Sequence, residues 1–245
     1  MSRNAWGLSP DAVDLRRPVV GSRPVEVAAL PQRLTLDLAR TALVAVDLQN
    51  DFCHPDGWLA SIGVDVSGVG ALVSTLAPAV DALRAAGVPV VWLNWGNRPD
   101  LADLPPGVRH VYDPDGASTG IGAPLPNGSP VLQEGSWSAA LVDGLTPHAD
   151  DLRVSKQRMS GFPGTPLDAV LRNLRVDTLL LAGVNTDQCV YATLVDAANL
   201  GYDVVLVEEL CATTSPSFCT DATLYNVRQC FGFTVTAPDL LEQLP

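Results

Sequence analysis

The stretch DTLLLAGVNTDQCVYATLVDAANLGYDVVLVEEL, residues 177–210, decides the fold. Its first eight residues form a continuous apolar run of strand length, the pattern of a parallel strand buried on both faces. TDQCVYATLVDAANLG follows as a helix that starts at Thr186 or Asp187, both good caps, and stops at Gly201. A second apolar run, YDVVLVEEL (202–210), completes a strand-helix-strand unit, which closes with a right-handed crossover.

The same rhythm extends in both directions. Strand-like runs occur at TALVAVDLQ (41–49), PVVWLNW (89–95), DLRVSK (151–156) and FTVTAP (233–238). Between the first two, Val69, Leu72, Val73, Leu76, Val80 and Leu83 recur at helical spacing up to Gly87. In PGTPLDAVLRNLR, Thr165 is a candidate cap with Pro166 at the first helical position. Strands alternating with helices predict a three-layer α/β/α domain over 41–245, built on a mostly parallel, Rossmann-like sheet of six strands. Ligands of such sheets bind outside the carboxyl ends of the strands. Residues 1–40, interrupted by Pro10, Pro18, Pro24 and Pro31, read as an arm over the domain or over a neighbouring subunit. The segment from Gly96 to Pro130 has no periodicity and is long enough to be a lid or binding loop.

The composition narrows the function. The chain has 245 residues with 27 acids against 15 bases, net −12, which argues against nucleic acid or an anionic membrane as partner and favours a small-molecule substrate. Five cysteines at 53, 189, 211, 219 and 230 include no CxxC pair and no zinc spacing, so neither a disulfide framework nor a structural metal is expected. Reduced thiols, no signal-like apolar run and no run of 18 apolar residues fit a cytoplasmic chain.

Three residues fall where this topology places chemistry. Asp47 lies near the end of the first strand, Lys156 ends the third, and Cys189 lies in the first turn of the helix after the fourth. A cysteine at a helix start has its thiol acidified by unpaired amides and the helix dipole, and a nearby lysine adds to this. An adjacent carboxylate can serve as base and then acid. Amides within GVNTDQC can receive an oxyanion. Taken singly, each residue also has a structural reading: a buried thiol, a turn carboxylate, a solvated strand-end lysine.

The strings VDLQNDF (46–52), Lys156 followed by SGF, and AGVNTDQCVYATLVDAANLGYDVVLVEE (182–209) together resemble the isochorismatase-like cysteine hydrolases, over roughly 41 to 236. The resemblance implies a catalytic triad of Asp47, Lys156 and Cys189, a cis peptide at Val184–Asn185, and an oxyanion hole of the Asn185 and Cys189 amides. Family members with a metal carry an Asp-x-His motif after the second strand. LNWGNRPD here has no histidine, which implies neither metal nor other cofactor. Members that cleave vinyl ethers lack the cysteine, so Cys189 implies attack on an acyl carbon bonded to nitrogen. EGSW (134–137), KQRMSGFPGTPLD (156–168) and LYNVRQCFGF (224–233) are similar to the ureidoacrylate branch, and RPDLADLP (98–105) to the biuret branch. A lactam hydrolase and a catalytically silent binding protein are the alternatives. The family also implies a homo-oligomer, a dimer or tetramer.

Candidate substrate contacts are Gln49, Phe52, Asn94, Trp95, Trp137, Arg158 and Val184, with Gln157 beside them. Trp92 reads as core by strand alternation. Cys53, Cys211, Cys219 and Cys230 carry no expected role, and His110 and His148 read as solvated.

Overall fold

A computed structural model describes residues 4–245. The central sheet has seven strands: β1 (Ala29–Leu30), β2 (Thr41–Val46), β3 (Val90–Trp95), β4 (Leu152–Lys156), β5 (Thr178–Val184), β6 (Asp203–Ala212) and β7 (Phe233–Val235). Their spatial order is β1-β7-β6-β5-β2-β3-β4. Every neighbouring pair is parallel except β1 with β7.

Every residue of β2 and β5 is buried because helices cover both faces. Strand alternation sends Leu43, Ala45, Leu180 and Ala182 into a core with α1 (Ser67–Ala85), through Val69, Leu72, Leu76, Val80 and Leu83. Ala42, Val44, Leu179 and Leu181 face the opposite core, which contains Val190 and Leu194. Further helices are α2 (Pro106–Tyr112), α3 (Leu167–Asn173), α4 (Tyr191–Asn199), α5 (Ser217–Asn226) and α6 (Ala237–Leu241), beside the single turns Asn50–Cys53 and Trp58–Ser61. None of the described helices is long and apolar enough to cross a membrane.

The sheet has one strand more than the periodicity predicts. Ala29 and Leu30 of the expected arm pair antiparallel with Val235 and Thr234. A two-residue strand carries no alternation, and its partner lies some two hundred positions away in the chain. Nor is the arm separate throughout. Pro24–Val27 and Leu34–Asp37 form a hairpin, and Val27, Leu36 and Leu38 belong to the core. Residues 1–3 of the expected arm lie outside the described residues. The segment between Gly96 and Pro130 contains α2, whose PGVRHVY spaces Val108, Val111 and Tyr112 as a helix does but over too few residues to announce one. Helix α3 begins one residue later than predicted, with Pro166 at the cap and Thr165 Oγ1 accepting from the Leu167 amide at 3.2 Å.

Candidate active site

The strand order brings three chain segments to one rim. β2 and β5 are neighbours, so Asp47, just past β2, lies beside the turn that leaves β5. Val46 pairs with Gly183, whose φ of +117° suits glycine, and a Cβ there would fall 2.1 Å from the Val46 carbonyl oxygen. Asp47 itself is left-handed at φ +52°, held by its amide donating to the Leu93 carbonyl at 2.8 Å. For a non-glycine residue that conformation is uncommon and concentrates at functional sites.

Lys156 ends β4, two strands from β2. Its ammonium passes the Trp95 ring of intervening β3, 4.7 Å from the centroid, and reaches Asp47 Oδ2 at 2.7 Å. It also donates to the Arg158 carbonyl at 3.1 Å. Both charged side chains are buried, at 0% and 1% exposure. Cys189 lies in a single π turn, Thr186–Val190, that precedes α4. Its thiol interacts with both Asp47 and Lys156, and its sulfur is 3.6 Å from Met159 Sδ. The turn is tied down by Thr193, which donates to the Cys189 carbonyl at 2.7 Å and accepts from the Gly161 amide at 3.0 Å. The Val184–Asn185 peptide is cis, and the Asn185 carbonyl accepts from the amides of Gln188 and Val190.

The electrostatics reverse one expectation. Burial, then the Asp47 carboxylate, pushes the Cys189 thiol far above its ordinary range, and Lys156 only partly opposes them. The sulfur is therefore a neutral thiol at rest, since desolvation outweighs the helix start that the sequence reading relied on. Burial likewise raises the Asp47 carboxyl, with Lys156 opposing. Burial works against the Lys156 ammonium, but the charge of Asp47, with hydrogen bonding to Asp47 and Cys189, more than offsets it and keeps it protonated.

These groups open on a small closed cavity with room for roughly one water molecule. Four aromatic residues, Phe52, Trp58, Trp95 and Tyr112, wall it, and Leu132 and Val184 add aliphatic surface. Asn185 and Gln188 are its remaining polar lining. Of the substrate contacts expected from the sequence, Phe52, Trp95 and Val184 line this cavity.

Four other candidates do not. Gln49 is fully buried, its amide nitrogen donating to the Trp95 and Ala139 carbonyls at 2.7 and 2.8 Å and its oxygen accepting from the Trp95 amide. It fixes the wall and has no donor left for a ligand. Asn94 opens on a second groove of about 430 Å³ that Trp95, Glu134 and Ser155 also line. Trp137 is 39% exposed and packs edge-on against His54. Arg158 donates to the carbonyls of Asp103 and Gln157. Gln157 donates to the Gly96 carbonyl.

Trp58, Tyr112, Leu132 and Gln188 escape the sequence reading. The first three lie in elements too short or irregular to show periodicity, whereas Gln188 adjoins Cys189 and was open to inference. Asp51 was also missed. Buried within VDLQNDF, it accepts from the Trp58 amide at 3.2 Å and the Leu132 amide at 2.7 Å, joining two walls of the cavity. Burial raises the thiols of Cys53 and Cys211 to about 12. Cys230 is exposed, and no cluster of three or more metal-ligating side chains occurs among the described residues.

The mostly parallel seven-stranded sheet with helices around it is that of the isochorismatase-like hydrolase folds. A profile described as the isochorismatase domain matches residues 41–239, and the chain belongs to that family. It is 38% identical over 210 residues to ureidoacrylate amidohydrolase RutB of Methylobacterium radiotolerans, spanning 85% of this chain and 81% of that protein. The RutB of Rhizobium rhizogenes is 34% identical over 93% of both chains. Among solved structures, a cysteine hydrolase from Pseudomonas syringae superposes with a TM-score of 0.73 at 25% identity, covering 91% of this chain and 98% of the other. N-carbamoylsarcosine amidase from Thermoplasma acidophilum gives 0.61 at 26% identity, covering 81% and 96%.

Proposed function

We propose that the chain is a metal-independent cysteine amidohydrolase that cleaves a C–N bond of a small carbamoyl or ureido compound. The observation that carries this is the buried Lys156–Asp47 ion pair meeting the Cys189 thiol inside an aromatic cavity. The names of the relatives, ureidoacrylate amidohydrolase and N-carbamoylsarcosine amidase, point to the same bond.

Asp47, a stronger base than an exposed carboxylate, takes the proton from Cys189 as the sulfur attacks the carbonyl carbon. The ammonium of Lys156 stabilises the carboxylate before transfer and the thiolate during it. As the S–C bond forms, the carbonyl electron pair moves onto oxygen, which the amides of Asn185 and Cys189 receive. Collapse breaks the C–N bond, and Asp47 returns its proton to the leaving nitrogen. Ammonia or an amine departs and a thioester remains. Water then loses a proton to Asp47 and attacks the thioester carbon. The C–S bond breaks, Asp47 reprotonates the sulfur, and the acid leaves.

Cys189→Ala should abolish ammonia release from ureido substrates while its circular dichroism and melting temperature match the parent. Near-full activity in that variant would show that the nucleophile is another group.

A further inference from the structure

Asp51 is a carboxyl group inside the protein that takes no part in the proton transfers above. It is 0% exposed. Burial raises its carboxyl, and only hydrogen bonds oppose that, the Leu132 amide foremost; no cation does so among the described residues. A polar group so placed is costly unless its hydrogen bonds replace the water it has lost. The two oxygens divide this task, Oδ1 accepting from the Trp58 amide at 3.2 Å and Oδ2 from the Leu132 amide at 2.7 Å. Both partners line the catalytic cavity.

Each partner depends on its bond. Leu132 is left-handed at φ +55°, uncommon for a residue with a Cβ, and its carbonyl is held from the other side by the Asn97 amide at 2.9 Å. Trp58 opens the single turn Trp58–Ser61, so its N–H has no acceptor within that turn. Its indole donates to the Thr119 carbonyl at 2.6 Å, and its ring meets Phe52 and Tyr112 edge-on, with centroids 6.5 and 5.1 Å apart. One carboxylate therefore sets two walls that arrive from distant parts of the chain.

The surrounding fold is fastened without that side chain. The Asp51 amide donates to the Ser138 carbonyl at 3.1 Å, the Asn50 amide to the Ala140 carbonyl at 3.0 Å, the Asn50 side chain to the Trp137 carbonyl at 2.8 Å and the Val142 amide to the Leu48 carbonyl at 3.0 Å. The reactive groups have their own ties, Asp47 to the Leu93 carbonyl and the Cys189 turn to Thr193. What the carboxylate adds is the placement of Leu132 and Trp58. Only a group that accepts on both oxygens can do this. Asparagine has the same shape but one oxygen, and its NH2 would face one of the two N–H groups.

Resting on the amidohydrolase reading, we propose that Asp51 is a positioning residue that acts through Leu132 and Trp58 to hold the cavity walls in the shape that grips the substrate. Its loss is felt in binding, whereas the reacting atoms stay in place.

Kinetics of ammonia release from ureidoacrylate test this. Asp51→Asn leaves one buried amide without an acceptor, so it should raise KM about tenfold and change kcat by less than about threefold. A role in stability alone would lower the melting temperature and the folded fraction, and so the apparent kcat, but not KM. Calorimetric titration in the Cys189→Ala background should show the same tenfold loss of affinity. Asp51→Ser, small enough to admit a bridging water, is the second variant and should show the same split. Alkylation of Cys189 reads the walls without turnover. With exposed Cys230 as internal reference, the parent should favour iodoacetamide over bulkier N-ethylmaleimide, and loosened walls should reduce that preference at least about threefold. A KM change below about threefold, an unchanged alkylation preference, or failure of both variants to fold overturns the proposal. Unchanged KM with ureidoacrylate still hydrolysed refutes the positioning and leaves the amidohydrolase reading intact. A reduced alkylation preference in a chain that hydrolyses no ureido compound refutes that reading and leaves the positioning intact.

Discussion

Replacing Lys156 by methionine shortens the side chain by one atom and removes its charge, leaving Asp47 alone in the core. The two groups are 2.7 Å apart at 0% and 1% exposure, so solvent cannot take over from the missing ammonium. An exposed pair would contribute up to about 1 kcal/mol. Breaking a buried pair costs about 3–5 kcal/mol, because an uncompensated charge remains. For a chain of this size each kcal/mol shifts the melting temperature by about 2–4 °C, so Lys156→Met should melt about 6–20 °C lower. The deficit should depend on pH. An unpaired buried carboxyl has a folded-state pKa above its unfolded value, so the folded state holds the extra proton and stability falls as pH rises through the folded pKa. Lys156→Met should therefore gain stability relative to Lys156→Met/Asp47→Asn as the buffer is taken from neutral to mildly acid. That double variant carries no buried charge and should recover at least half of the loss at neutral pH. Urea and thermal unfolding followed by circular dichroism measure all of these. A loss below about 2 °C, or a double variant no more stable than the single, would refute the buried-pair argument.

Two further outcomes follow from the same geometry. Gly183→Ala would place a Cβ against the backbone of Val46 and force β5 away from β2, so it should cost at least about 1–3 kcal/mol and reduce activity, as Asp47 and Asn185 both follow the displaced ends. An alanine variant that melts and turns over like the parent would contradict the close approach. With a neutral resting thiol, iodoacetamide at neutral pH should modify exposed Cys230 before Cys189, and Asp47→Asn, which removes the charge that raises the thiol, should speed labelling at Cys189. Mass-spectrometric mapping that finds Cys189 modified first in the parent chain would show that it is a thiolate at rest.

Much of the site was readable in one dimension because chemistry coincided with element ends. In a parallel sheet, the residue after an apolar run lies at the carboxyl rim, so Asp47, Lys156 and Cys189 could be placed together from strand boundaries alone. Phe52, Trp95 and Val184 lie within or beside those same boundaries, and the structure puts them around the cavity. Arg158 and Gln49 resemble ligand-binding groups by residue type, yet backbone carbonyls already occupy them. Only the folded chain shows which polar groups are already satisfied.

Hydrophobic periodicity is local, so the order of residues was enough to establish the alternating strands and helices, the parallel core and the rim on which the reactive residues meet. The edge strand at Ala29–Leu30, the closing of the cavity by Trp58 and Tyr112, and the protonation of Cys189 were settled by the tertiary structure. Each of these depends on distance through space. A strand of two residues exists only through its partner, an aromatic wall only through what it faces, and a thiol pKa only through the water excluded and the charge brought near.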